Sequence, residues 1–134
     1  TAFVSNENEA SVSVIDAVKH RVAATIRLPK ADGAPLPPRP MDVVVSPDGA
    51  VLYVSLGRAR SVAVVDIGSH RLLRTIADVG ERPWGIAVSA DGRTLYTANG
   101  PSGDVAMVDL ATGTVTKRVR VGGSPWGVAF VVRP

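Results

Sequence analysis

Four sets of side chains in this sequence are of types that do chemistry: two histidines, five turn aspartates, two serines and two tryptophans. His20 and His70 are the only histidines and stand 50 residues apart. A metal needs ligands that converge on one point. Asp16, Asp66 and Asp109 each follow an apolar run, while Asp48 and Asp91 sit in the segments SPDG and SADG. A carboxylate pair would serve as general acid and base. Ser46 and Ser89 open those same two segments, and neither lies in the G-x-S-x-G setting of a serine nucleophile. Trp84 and Trp126 both stand in the tripeptide PWG.

The spacing argues against most of that chemistry, because it is the spacing of a repeat. FVSN from Phe3, YVSL from Tyr53 and YTAN from Tyr96 recur at offsets of 50 and 43 residues. VSVID from Val12, VAVVD from Val62 and VAMVD from Val105 recur at the same offsets. PMDVVVS from Pro40, PWGIAVS from Pro83 and PWGVAFV from Pro125 form a further element. His20 and His70 are therefore equivalent to each other and to Gly113, and read as turn residues; no metal site is expected. The aspartates recur because each turn needs its backbone N–H groups capped.

Each repeat holds four short runs rich in Val, Ile and Tyr, separated by turn residues, which is strand composition. Asp-Gly in SPDG and SADG supplies the positive φ of tight hairpins. The first repeat is longer: Asp16 and Pro40 are 24 apart, against 17 and 16 for the equivalent pairs. The excess lies in KADGAPLPPR, residues 30–39, whose prolines make it an inserted loop. The repeats run over residues 1–49, 50–92 and 93–134. Four-stranded units of about 40 residues are the signature of propeller blades. The expected fold is all-β: three four-stranded antiparallel β-propeller blades, forming an incomplete ring or one half of a six-bladed ring.

Composition sets the other limits. With 46% hydrophobic and 20% charged residues the chain is rich enough to bury a core. No apolar stretch reaches the roughly eighteen residues of a membrane helix. The segment TAFVSNENEA has neither the basic flank nor the apolar run of a signal peptide. Cysteine is absent, which excludes disulfides and thiol chemistry. The net charge of +3 comes from a small excess of arginine over a near-balance of acids. VGGSPWG, from Val121, lacks phosphate-loop spacing and leads into a strand.

Trp84 and Trp126 are the most informative residues. With Met41 they occupy one row, each after a proline and before an innermost strand. They are expected either to pack between blades or to form a channel-face rim with Arg39 and Arg82. Arg58, Arg60, Lys117, Arg118 and Arg120 read as a solvated face, since charge on outer strands discourages edge pairing.

The segment ERPWGIAVSADGRTLYTANGPSGDVAMVDLATGTV resembles the YVTN β-propeller repeat across almost the whole chain. TAFVSNENEASVSVID and the doubled PWG also resemble bacterial propeller proteins associated with pyrroloquinoline-quinone-dependent catabolism. The resemblance implies a periplasmic or extracellular scaffold for binding or assembly, without catalysis and without a cofactor. An accessory subunit or partial active site of a quinone-linked oxidation system is the alternative. Nucleic-acid binding through a basic surface is a second, disfavoured because aromatics do not interleave with a basic groove. The expected partners are a protein or small molecule on the channel face, and either another copy of the chain or the missing blades of a longer one.

Overall fold

The computed structural model describes residues 1–133 and contains three antiparallel sheets. The first has three strands: β1 (Ala2–Asn6), β2 (Ser11–Asp16) and β3 (Arg21–Arg27). The second joins β4 (Val43–Val45), β5 (Val51–Ser55), β6 (Val62–Asp66) and β7 (Arg71–Ile76) in sequential order. The third does the same with β8 (Pro83–Val88), β9 (Thr94–Asn99), β10 (Asp104–Asp109) and β11 (Thr114–Arg120). These are propeller blades, as the repeats require. The first blade has three strands where the other two have four. The segment PWGVAFVV, expected as a strand, joins no sheet and lies beside the third blade.

The middle blade explains why the sequence folds this way. Side chains alternate across a strand, so a run apolar at every position must be covered on both faces. Leu52 and Val54 of β5, with Ala63 and Val65 of β6, face the first blade and pack with Val12, Val14 and Ile26. Tyr53, Val62 and Val64 face the other way, against Ile86, Leu95 and Val108 of the third blade. The chain thus has two cores, one at each seam. Outer strands β3 and β11 alternate weakly and are mostly exposed.

The turn chemistry agrees with the sequence. Ser46 accepts a hydrogen bond from the N–H of Val51 at 2.9 Å and donates to Asp48. Ser89 and Asp91 repeat the arrangement, with Thr94 as the N–H donor. Asp16 caps Val18 and Lys19, Asp66 caps Ser69, and Asp109 caps Ala111 and Thr112. His20, His70 and Gly113 all have left-handed backbone, with φ of 49°, 58° and 72°. The shared position is a demand of the turn.

Candidate functional site

Two hydroxyl groups fix the starts of the innermost strands. Ser5 in β1 donates to the carbonyl of Met41 at 2.9 Å, and Ser55 in β5 donates to the carbonyl of Trp84 at 2.7 Å. The serines are equivalent repeat positions and so are their acceptors. Asp42 adds a second tie between blades. Its carboxylate accepts from the N–H of Val43 at 2.8 Å and, across the seam, from Ile86 at 3.0 Å. Asp42 stands where the other repeats have Gly85 and Gly127. A Cβ on Gly85 would lie 2.6 Å from the Cα of Gly127, so only glycine admits the neighbouring chain there.

This arrangement brings Met41, Trp84 and Trp126 together around one cavity of about 230 Å³, completed by Asp42, Gly85, Gly127 and Val128. The two indoles stack, with ring centroids 4.2 Å apart and planes inclined by 23°. Such pairs contribute beyond the area they bury. The six-membered ring of Trp84 rests on Gly100, where a Cβ would come within 2.1 Å of it. The two tryptophans differ in exposure: Trp84 is half-buried against Gly100, whereas Trp126 is 68% exposed. The expected carbonyl partner is missing, since the buried Nε1 of Trp84 has no hydrogen-bond acceptor among the described residues.

Arg82 joins the site and Arg39 does not. The Arg82 guanidinium lies 5.4 Å from the centroid of the Trp84 ring, within cation–π range. Arg39 instead donates to Asn8 at 2.7 Å and pairs with Glu7 at 3.7 Å, lining a separate cavity with Pro37 and Pro38. The Pro-rich insertion brings it there. Arg118 is also not simply solvated: it donates to the carbonyls of Asp78 and Val79 and pairs with Asp104 at 3.6 Å. Sequence reasoning missed Asn99, which is fully buried and donates to Asp104 at 2.7 Å and to the Val79 carbonyl. Its place in YTAN, matching Asn6 in FVSN, was the available signal.

Several turn carboxylates titrate low. The Ser46 hydroxyl holds Asp48 below the usual carboxylate range, and the Ser89 hydroxyl does the same for Asp91. Ser69 lowers Asp66, and the N–H of Thr112 lowers Asp109. Each stays ionised and acts as a hydrogen-bond acceptor within its own turn. Among the described residues no three His, Cys, Asp or Glu side chains cluster as metal ligands would.

Antiparallel blades packed face to face, with an aromatic cavity at the starts of their innermost strands, define a β-propeller. Residues 1–130 match the family described as Lactonase, 7-bladed beta-propeller, and the chain belongs to that family. Among solved structures it is similar to the Kuenenia stuttgartiensis Hydrazine Synthase, at 30% identity and a TM-score of 0.76. That likeness covers 93% of this chain and 33% of the other, so the chain spans about a third of its structural neighbour's length. No curated protein matches the sequence. The family's description is of seven blades, of which this chain supplies three.

Proposed function

We propose that these blades are a binding module, without catalysis of their own, that holds a planar, largely apolar group against Trp126. The observation that carries the reading is the shared cavity of Met41, Trp84 and Trp126. An exposed indole supplies a stacking surface, and the buried Trp84 N–H lacks an acceptor that a ligand could bring. Fluorescence titration with neutral quinoline, a planar ring bearing one acceptor nitrogen, tests it. Saturable quenching that is lost in Trp126→Ala supports the proposal. Unchanged emission, or equal binding by the variant, refutes it.

Further blades of the same polypeptide complete the ring in this proposal, because the family has seven. The exposed side chains of Phe130, Val131 and Val132 at one end of the arc, and Val4 and Val22 at the other, suit such neighbours. The YVTN character of the repeats and a periplasmic or extracellular location belong to the same reading, resting on the repeat motifs. Cell fractionation with an antibody against the chain checks the location.

A second reading is hydrolysis of a cyclic ester, favoured by the family's description. It is the weaker one because, among the described residues lining the aromatic cavity, Asp42 is the one acid–base side chain, with no second group beside it to protonate the leaving alkoxide. Acid release from a δ-lactone, abolished by Asp42→Asn, would establish hydrolysis and displace the binding module.

A further inference from the structure

A second cavity, of about 420 Å³, lies beside the aromatic one and is lined by Arg58, Arg60, Arg82, Glu81, Leu36 and Pro101. It lies within the size range of small-molecule sites. The three arginines come from two segments: Arg58 and Arg60 from the turn between β5 and β6, and Arg82 from the approach to β8. The ion pairs among the described residues are Arg39–Glu7 and Arg118–Asp104, so none of these three is neutralised. The Nε of Arg82 is buried without an acceptor. Arg60 adopts left-handed backbone with φ of 58°, as its repeat equivalents Ala10 and Gly103 do, and Arg82 does so with φ of 48°.

We propose that this cavity binds a small organic carboxylate. Guanidinium groups match a carboxylate in planar, two-point fashion, and an orphaned Nε–H is half of such a fork. Leu36 and Pro101 offer an apolar wall for the body of the ligand. Glu81 contributes one negative charge at the rim, which opposes a doubly charged phosphate more than a singly charged carboxylate. The site differs from the aromatic cavity in ligand charge, so the two proposals stand or fall separately.

The test uses the Trp126→Ala chain, which lacks the stacking surface of the aromatic cavity, with benzoate, its neutral analogue benzamide, and inorganic phosphate, followed by calorimetry and by the NMR signal of the Arg82 Nε–H. Benzoate should bind and shift that signal, weaken as salt is added, and lose about tenfold in affinity in the exposed-site variant Arg58→Gln/Arg60→Gln. Benzamide should not bind. Benzamide binding as well as benzoate, phosphate binding more tightly, or no movement of the Arg82 signal would each overturn the proposal. The NMR reading does not need the arginine double substitution, so it decides the matter even if that change impairs folding.

Discussion

The hydroxyl of Ser55, fully buried in β5, donates to the backbone carbonyl of Trp84 at 2.7 Å and accepts from the N–H of Asp42 at 3.0 Å. One side chain thus ties its own blade's innermost strand to that of the next. The third repeat has Ala98 at this position and makes no such tie. Ser55→Ala strands a buried N–H and a carbonyl, and should cost about 1–3 kcal/mol. Ser5→Ala, at the half-buried equivalent, should cost less. Urea unfolding of the two variants measures the difference, and equal losses would contradict the latch.

Gly100 sets the seat of Trp84. Gly100→Ala puts a methyl group into the indole and should destabilise by about 1–3 kcal/mol through overpacking. In a Trp84→Ala background the same change should be nearly silent, because the two residues are in contact and couple. A double-mutant cycle by thermal denaturation reads this directly. Additive losses would show that the clash is relieved elsewhere.

His20 and His70 carry a left-handed backbone that glycine tolerates without cost. His20→Gly and His70→Gly should each raise stability by up to about 1 kcal/mol, against the entropy glycine adds to the unfolded chain. Replacing both should leave quinoline binding untouched. Melting temperatures check the first expectation and the fluorescence titration the second.

Stability should fall in acid. Asp48, Asp66, Asp91 and Asp109 titrate lower in the folded chain than in the unfolded one. Their contribution is complete above the unfolded carboxylate value of about 3.9 and disappears as pH drops through the lower folded values. Denaturant midpoints should therefore be flat from neutrality to about pH 5 and decline below about pH 4. Asp48→Asn combined with Asp91→Asn should make that decline shallower.

The blades were legible because one period governs strands and turns alike: the same two offsets locate Tyr53, Asp66 and His70 in the second repeat. Local chemistry was legible too, since Asp16, Asp66 and Asp109 cap backbone a few residues onward. What sequence could not give was partnership across a seam. Arg58 lies in a turn of the second sheet and Arg82 at the entry to the third, and only the approach of the blades brings them to one cavity. Arg39 looked equivalent to Arg82, yet the insertion at 30–39 carries it to Glu7 and Asn8. Repeat position predicts the backbone; the side chain answers to its neighbours.

The middle blade has a consequence for how the chain comes apart. Every strand pairs with the one next to it in sequence, and only the second sheet is covered on both faces. Opening should then proceed inward, each end blade detaching at its own seam while the centre persists, as in one-dimensional arrays of repeats. Amide exchange should be slowest at Leu52, Val54, Val64 and Val65 and faster in β3 and β11. Because Ala63 and Val65 serve one core while Val62 and Val64 serve the other, a substitution in β6 selects which end detaches first. Two adjacent residues act as independent controls on opposite halves of the molecule.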